Sequence, residues 1–293
     1  MRLHENRSEF IRMLERTSAQ TAFPLRLLEK DYYLTVILSD IHKLSRDLVF
    51  KGGTCLSKVY FDYYRLSEDL DFTLKLPPGE ITRTVRRKTI KPVKDSITGF
   101  VKGFNLNAQN PEKAGRNEST QYVYYIEYDS VVLNRKETVK LEIGLRFNPV
   151  LAPQKHGIKH KFIHPFTKEP LFSGGETACL QLDELVAEKM RAAATRQVIA
   201  SRDFFDLGYL IETGFDLSRK AVLDILKIKL AEDGFPVDMR KYSFNLGRTE
   251  KEIDEMKSHV EDELLSVLSV NERNRFDMQK VLDALNNVFK TVV

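Results

Sequence analysis

The sequence has no tryptophan and only two cysteines, Cys55 and Cys179, which lie far apart in the chain. Two distant cysteines cannot form the disulfide framework of a small secreted domain, and there is no C-x-x-C pair that would hold zinc. No stretch approaches the ~18 consecutive apolar residues of a transmembrane helix. The first residues are charged from Arg2 onward and lack an apolar signal core. We therefore expect a cytoplasmic protein that does not span a membrane.

The length and composition predict a folded protein of more than one domain. The chain has 293 residues, of which 42% are hydrophobic and 30% are charged, as in chains that bury a hydrophobic core. Its 46 basic and 42 acidic residues give a formal charge of +4. This excess is too small to indicate nucleic-acid binding, so such binding must be argued from local basic patches.

The spacing of apolar residues predicts both helices and strands. Helical spacing covers residues 5–19 and the stretch from Pro24 to about Leu44, and a basic helix is expected over 79–102, bent or broken near Pro92. Short strands are expected in DLVFKGG and EDLDFTLKL. The runs TQYVYYIEYDS and KETVKLEIGLRF are rich in Tyr, Val and Ile and predict a hairpin that turns at Asn134-Arg135.

The second half of the chain differs in character from the first. GIKHKFIHPF is expected to add one more strand, and from Glu176 onward nearly every segment has helical spacing. These patterns predict an α+β fold. A mixed β-sheet with flanking helices would occupy residues 1–170, and a helical domain would occupy residues 171–293.

Residues 51–58, KGGTCLSK, place two glycines between a predicted strand and a predicted helix. Glycine lets the backbone approach a ligand closely, and the N–H groups at a helix N-terminus attract anions. Gly52 and Gly53, with the hydroxyl groups of Thr54 and Ser57, are therefore candidate phosphate ligands. The pattern alone also fits an ordinary strand-to-helix turn, and its spacing excludes the P-loop and the Rossmann glycine motif.

The strand that follows carries two carboxylates on one face. Alternate side chains of a strand point the same way, so Asp69 and Asp71 share a face that Leu70 and Phe72 do not. Closely spaced carboxylates repel each other unless a cation lies between them. Mg²⁺ is commonly held by one or two carboxylates and substrate phosphates. The pair is a candidate metal site, although Asp-x-Asp alone is also typical of a solvated strand end.

In combination, the glycine turn and the aspartate pair resemble the minimal nucleotidyltransferase superfamily, whose best-known member is DNA polymerase β. More specifically, KGGTCLSK and RLSEDLDF look like the AbiEii/AbiGii toxin family of nucleotidyltransferases, of which an Arg-x-Ser-x-Asp-x-Asp motif is typical. The residues that match this motif are Arg65, Ser67, Asp69 and Asp71. A downstream lysine, threonine and Asp-x-x-Asp pattern of the family is matched by Lys189, Thr195, Asp203 and Asp206. The resemblance covers roughly residues 25–215.

This resemblance implies that the protein transfers a nucleoside monophosphate from an NTP to an acceptor hydroxyl. Asp69 and Asp71 would hold Mg²⁺, and the glycine turn would bind the triphosphate. Lys189 lies on an apolar helical stripe, and such a lysine either extends to solvent or points into a cleft between the domains. There it would offset charge on the leaving pyrophosphate. Asp203 would hold Lys189 or contact the nucleotide, and Asp206 would be mostly structural.

The superfamily uses a third carboxylate on a later strand, and two residues are candidates. Glu142, in VKLEIGLRF, lies on the face opposite to the apolar residues Leu141 and Ile143. It could complete the metal site or act as the general base that deprotonates the attacking hydroxyl. Glu127, on the preceding strand, is the rival. A surface ion pair between strands would also explain an acid at either position.

The resemblance further implies the toxin of a type IV toxin–antitoxin system, with an antitoxin encoded nearby and the acceptor end of tRNA as substrate. An RNA substrate needs basic surfaces. One basic run lies in TRTVRRKTIKPVK and a second between Lys155 and Lys168, although either is also typical of a solvated face. The candidate RNA-binding residues of the first run are Arg83, Arg86, Arg87, Lys88 and Lys91. Two alternatives stay open: an enzyme that transfers NMP to a protein, and an inactive module of the same fold that binds RNA or a partner.

Overall fold

The structure is a computed structural model that describes residues 2–196, 200–242, 251, 254–255, 258, 264 and 267–291. The chain divides into two compact units, residues 1–180 and residues 181–293. Among the described residues, no helix combines the length and the apolar character needed to cross a membrane.

The helices of the first unit follow the predicted apolar spacing. α1 buries Phe10, Leu14 and Thr17 on one face, and its N-terminus is capped by Asn6, whose side chain accepts a hydrogen bond from the Glu9 amide. The fifth helix continues through Pro92 without interruption. The helices are α1 (Arg7–Thr21), α2 (Leu25–Ser39), α3 (Ile41–Leu44), α4 (Gly52–Cys55, continued by a π-helical turn over Leu56–Tyr60) and α5 (Arg83–Lys102). Short 3₁₀ turns cover Leu3–Glu5, Pro111–Lys113 and Asn117–Ser119.

The described part of the first unit contains one mixed sheet of eight strands. The strands are β1 (Leu48–Lys51), β2 (Asp69–Leu74), β3 (Asn107–Gln109), β4 (Gly115–Arg116), β5 (Gln121–Asp129), β6 (Lys136–Gly144), β7 (Gln154–Gly157) and β8 (Glu176–Cys179). Their order is β3-β5-β6-β2-β1-β8-β7, with β4 beside β5. The β2–β6 and β1–β8 pairs are parallel, and the other pairs are antiparallel.

One face of the sheet is apolar and covered by helices. Phe72 and Leu141 are fully buried there. Tyr33 of α2 stacks on Tyr128 of β5 with ring centroids 4.2 Å apart. Lys94 of α5 lies over the ring of Tyr122, also on β5. Because side chains alternate along a strand, the opposite face carries the polar residues of β2, β5 and β6.

The structure confirms the predicted fold class and the predicted hairpin. β5 and β6 pair antiparallel along their whole lengths, and Asn134 in their turn has φ 52°, the left-handed conformation that asparagine tolerates.

Two predictions about the later segments are wrong. The strand expected over residues 157–166 is absent there. β7 ends at Gly157, and beyond it an isolated bridge joins Ile163 and Pro170. The helix expected from Glu176 begins only at Leu182, because Glu176–Cys179 forms β8. This four-residue strand is stabilised by its pairing with β1 and β7, and such a short segment has no periodicity of its own.

The second unit is helical in its described residues. Its helices are α6 (Leu182–Thr195), α7 (Ser201–Glu212), α8 (Lys220–Glu232), α9 (Val270–Arg275) and α10 (Met278–Thr291). α7 and α10 pack closely at Gly208, where an added Cβ atom would lie 2.6 Å from Val281 Cγ2. α6 and α8 share a buried ion pair between Lys229 and Glu184, 2.7 Å long. The predicted helical character of residues 197–199 and 243–250 lies outside the described residues.

Candidate active site

Three adjacent strands bring the predicted acids onto one face of the sheet. In the antiparallel β1–β2 pair, Lys51 lies opposite Asp71. In the parallel β2–β6 pair, Asp71 lies opposite Glu142 and Asp69 lies opposite Lys140. Residues that face each other across a pair point to the same side. Asp69, Asp71 and Glu142 therefore form one acidic group on the polar face, flanked by two lysines.

The electrostatics of this group are dominated at Asp71 by burial and by the neighbouring carboxylates. Burial, and next the negative charge of Glu142, raise the pKa of Asp71 to about 6, although Lys51 opposes this shift. Asp69 raises it further. A cation placed between these carboxylates would relieve the repulsion and favour the ionised form of Asp71.

The donor set fits Mg²⁺ completed by substrate oxygens. In the part of the chain that the structure describes, no three His, Cys, Asp or Glu side chains are arranged to hold a metal ion by themselves. Mg²⁺ is usually bound by one or two carboxylates together with substrate phosphates and water. Asp69 and Asp71 meet this requirement, and their assignment as metal ligands stays a prediction.

Glu142 is held ionised beside Asp71 by two neighbours. Lys140 Nζ lies 2.9 Å from Glu142 Oε2, and Gln121 Nε2 donates a hydrogen bond of 2.5 Å to Oε1. Burial acts to raise the pKa of Glu142, but these hydrogen bonds, together with the positive charges of Lys140 and Lys51, hold the pKa below its ordinary value. The side chain is therefore a fixed negative charge next to Asp71.

The rival acid, Glu127, has different neighbours. It lies on β5 opposite Thr138, and it accepts hydrogen bonds from Lys136 and from Gln109, the latter at 2.8 Å. The hydrogen bond from Lys136 is the main reason that the pKa of Glu127 is lowered. The strand register thus places Glu142, and not Glu127, beside Asp71. A role for Glu142 in catalysis stays a prediction.

Gly52 fits its position for two independent reasons. Its φ of +76° is the left-handed conformation that glycine adopts without strain. A Cβ atom at this position would lie only 2.5 Å from Asp71 Oδ2. The glycine turn therefore contacts the carboxylate directly, with Gly52 and Gly53 at the start of α4.

Replacing Gly52 with alanine is expected to displace the Asp71 carboxylate and to weaken Mg²⁺ binding at least about 10-fold, as loss of support for metal ligands does. The left-handed backbone conformation should in addition cost about 1–2 kcal/mol of unfolding free energy. Calorimetric titration with Mg²⁺ and urea unfolding would measure the two effects.

Gly234→Ala is the matched control. Gly234 has φ +75°, and an added Cβ atom would meet nothing within 4 Å. This variant should lose similar stability and keep its Mg²⁺ affinity. Equal Mg²⁺ affinity in the two variants would show that contact with Asp71 is unimportant.

The hydroxyl groups of Thr54 and Ser57 face the protein. Thr54 Oγ1 donates a 2.6 Å hydrogen bond to the backbone oxygen of Asp69, and Ser57 Oγ donates one of 2.7 Å to that of Arg65. Both side chains are buried. These bonds tie α4 and its π-helical extension to the segment that enters β2. Direct phosphate binding by the two hydroxyls stays a prediction.

Arg65 and Ser67, the first two positions of the Arg-x-Ser-x-Asp-x-Asp motif, stabilise the same segment. Both are buried. Arg65 Nη1 donates hydrogen bonds to Ser67 Oγ (2.7 Å) and to the backbone oxygen of Leu66 (3.2 Å). These contacts fix the approach to Asp69, so this part of the motif positions the acids.

Sequence reasoning missed a buried polar cluster behind the glycine turn, here called the Lys58 cluster: Asp31, Thr35, Lys58 and Tyr63. Lys58 Nζ lies 2.7 Å from Asp31 Oδ1 and donates to Thr35 Oγ1 at 2.8 Å and to Tyr63 Oη at 2.5 Å. Burial lowers the pKa of Lys58, and the ion pair with Asp31 opposes that shift. The cluster joins α2 to the π-helical turn that follows Gly52. A hint in the sequence was a lysine within an otherwise apolar helical segment.

In the second unit, Lys189 contacts both aspartates of the downstream motif. Lys189 Nζ lies 2.7 Å from Asp203 Oδ1 and 2.8 Å from Asp206 Oδ2. Arg196 lies 2.7 Å from the other oxygen of Asp203. Lys189, Asp203 and Asp206 therefore form one ion-pair network between α6 and α7, in which the two aspartates hold the lysine. Their contact with a nucleotide stays a prediction.

The basic run of α5 lies on the other side of the sheet from the acids. Lys94 is over Tyr122, whose side chain is on the face opposite to Glu142. Arg86 Nε donates a 3.2 Å hydrogen bond to the Leu145 backbone oxygen at the end of β6. The exposed members of the run are Arg83, Arg87, Lys88, Lys91 and Lys94. RNA binding by this run, Arg86 included, stays a prediction.

The raised pKa of Asp71 predicts a pH-dependent effect of Asp71→Asn on the metal-free protein. The Asp71 carboxyl binds its proton more tightly in the folded protein than in the unfolded chain, where the pKa has its ordinary value of 3.8. The free energy of unfolding therefore falls as the pH rises through about 4–6. Asp71→Asn should therefore raise the free energy of unfolding by about 1–3 kcal/mol at pH 7.5 and by much less near pH 4.5.

Urea unfolding in EDTA at the two pH values would measure this difference. Asp95→Asn is a control, because Asp95 lies on the exposed surface of α5. A stabilisation by Asp71→Asn that is equal at both pH values would contradict the assigned electrostatics.

Comparison with known proteins identifies a family and similar structures. A family model described as "Nucleotidyl transferase AbiEii toxin, Type IV TA system" matches residues 36–288. MenT4, a nucleotidyltransferase toxin from Mycobacterium tuberculosis H37Rv, has a similar structure, with a TM-score of 0.56 and 15% identity over 98% of this chain and 99% of that one. JHP933 from Helicobacter pylori matches with a TM-score of 0.48 and 16% identity over 92% of each chain. No curated protein sequence matches significantly.

The family model spans most of the chain, including the glycine turn, the acids of β2 and β6, and the Lys189 network. MenT4 independently shows the nucleotidyltransferase fold. The chain therefore belongs to the AbiEii family of nucleotidyl transferase toxins of type IV toxin–antitoxin systems, and it is a nucleotidyltransferase.

Proposed function

We propose that this toxin transfers a nucleoside monophosphate from an NTP to the acceptor end of tRNA in a Mg²⁺-dependent reaction. The observation that carries the metal dependence is the acidic group of β2 and β6, in which Asp71 lies opposite Glu142 and has a pKa raised to about 6. A group of negative charges favours a bound cation, and that cation would in turn neutralise the negative charge of the triphosphate substrate.

The residues of the first unit would bind the triphosphate and the metal. The backbone N–H groups at Gly52 and Gly53 would bind phosphate oxygens, and Asp69 and Asp71 would hold the ion. When bound, Mg²⁺ would neutralise phosphate charge and favour ionisation of the acceptor hydroxyl. Glu142, kept ionised by Lys140, is better suited to the charge of the metal site than to proton abstraction, because an efficient base has a pKa near the working pH.

The Lys189 network would act on the leaving group. Pyrophosphate gains negative charge as it leaves, and a lysine is a compact cation that offsets such charge. Asp203 and Asp206 would hold the Lys189 ammonium group in one position, as they do in the present structure.

The proposed activity and the family also imply an antitoxin and an RNA as partners. We propose a cognate antitoxin encoded nearby, in keeping with the type IV system of the family. The exposed basic residues of α5 are proposed to contact the RNA backbone, and the substrates, NTP and tRNA, support a cytoplasmic location.

The test is to incubate the purified protein with each labelled NTP, Mg²⁺ and total tRNA, and with EDTA as the control. Mg²⁺-dependent label on RNA would support the proposal. Label on protein instead would identify a protein-modifying enzyme. RNA binding without any label would identify an inactive binding module.

A further inference from the structure

The tyrosine that differs from its neighbours on β5 is Tyr125. This strand reads QYVYYIEYD, and its other three tyrosines, Tyr122, Tyr124 and Tyr128, are 1–4% exposed on the apolar face. Tyr125 points to the opposite face and is 43% exposed. Single exposed aromatic residues are common, so it is the position of this ring that matters.

The strand register connects Tyr125 to the acidic group. Tyr125 lies opposite Lys140 on β6, and Lys140 lies opposite Asp69 on β2. These three residues form one row across three neighbouring strands. Since such strands are about 4.8 Å apart, the Cα atoms of Tyr125 and Asp69 are separated by about 10 Å. The ring is therefore on the same polar face as the acids, two strands away.

We propose that the Tyr125 ring is the stacking platform for a base at the single-stranded end of the RNA acceptor. Exposed aromatic residues on a sheet surface bind unstacked bases in this way, and stacking tolerates any base because each has a π-face. A terminal nucleotide places its base a short distance from its ribose hydroxyls. With the ribose hydroxyl of the terminal nucleotide at Asp69 and Asp71 on β2, the base of that nucleotide would extend over β6 towards β5.

The surroundings of the ring suit a nucleotide more than an acidic peptide or an apolar side chain. Lys140, one-third exposed and paired with Glu142, lies between the ring and the acids, where a lysine can contact a phosphate. Gln109, exposed and opposite Tyr125 on β3, donates its amide to Glu127 on the same face, and this carboxylate disfavours an acidic peptide beside the ring. This inference rests on the proposed function, because it assigns the acceptor to RNA.

The first arm of the test is kinetic. Tyr125→Ala should raise the KM for tRNA about 5- to 100-fold, the loss expected for one stacked base, with the KM for NTP unchanged. Tyr125→Trp should keep the wild-type KM for tRNA. Phe235→Ala is the control, because Phe235 is 37% exposed and follows α8, outside the sheet and outside both basic runs.

The second arm measures binding without chemistry. In the Asp71→Asn background, a short single-stranded RNA that ends in 2-aminopurine should lose fluorescence on binding, and Tyr125→Ala should abolish this quenching.

RNA transfer with an unchanged KM in Tyr125→Ala would overturn the platform and leave the proposed function standing. Absence of RNA transfer by the wild type would overturn the proposed function, and quenching that depends on Tyr125 would then still support a base-stacking site. Quenching that is equal with and without Tyr125 would overturn the platform in either case.

Discussion

Nucleotidyl transfer by the Asp71→Ala variant is expected to fall at least about 10³-fold relative to the wild type. Asp71 is the acid that lies in contact with the glycine turn and opposite Glu142. Its removal would eliminate a metal ligand, and metal ions contribute several kcal/mol to the stabilisation of transition-state charge. Since each 1.36 kcal/mol corresponds to a tenfold change in rate, the loss should be visible in initial rates of label transfer.

Glu127→Ala is the matched control for this experiment. Glu127 is an acid of the same sheet, but its carboxylate is bound by Lys136 and Gln109 away from Asp71. Its removal should change the rate less than about 2-fold, a difference far below that expected for loss of a metal ligand. Near-normal transfer by a folded Asp71→Ala protein, checked by circular dichroism, would show that the metal site has been assigned to the wrong residue.

The largest expected loss of stability comes from the Lys58 cluster. Lys58→Met is expected to lower the free energy of unfolding by about 3–5 kcal/mol, because it leaves the Asp31 carboxylate buried without its cation. Both side chains are about 1% exposed, so water cannot replace the lost partner. Urea unfolding of the purified variant would measure the effect.

Two further variants separate the missing charge from other causes. Asp31→Asn combined with Lys58→Met removes both charges and should recover part of the loss. Lys91→Met, in an exposed ion pair with Asp95, should cost less than about 1 kcal/mol. A Lys58→Met protein as stable as Lys91→Met would show that the cluster does not stabilise the fold.

The elements and the candidate acids could be predicted because their evidence is local. The Tyr, Val and Ile content of the two runs and the turn at Asn134-Arg135 predicted the hairpin, and the i, i+2 spacing of Asp69 and Asp71 predicted a shared face. The choice between Glu142 and Glu127 could not be made from alternation, because both acids point to the same side of the sheet. Only the pairing of β6 with β2 decides which acid lies beside Asp71, and that pairing depends on distant parts of the chain.

The directions in which individual side chains point could not be predicted from the sequence either. The pattern KGGTCLSK places Thr54 and Ser57 near a helix start, but it does not show in which direction their hydroxyl groups point. In the structure Thr54 bonds the first residue of β2, and Ser57 bonds Arg65 before that strand. Likewise, two partners of Lys58, Asp31 and Thr35, come from α2, which lies well upstream in the sequence.

The parallel pairing of β2 with β6 has a consequence for how the enzyme becomes active as it folds. The glycine turn and the β2 acids belong to neighbouring segments and can meet by closing a short loop. Glu142 is separated from them in sequence by α5, β3, β4 and β5, so its pairing with β2 is a long-range event, which is slower. A chain whose synthesis or folding stops before β6 therefore has its phosphate turn but lacks a complete acidic group, and we expect such a partly made toxin to be harmless.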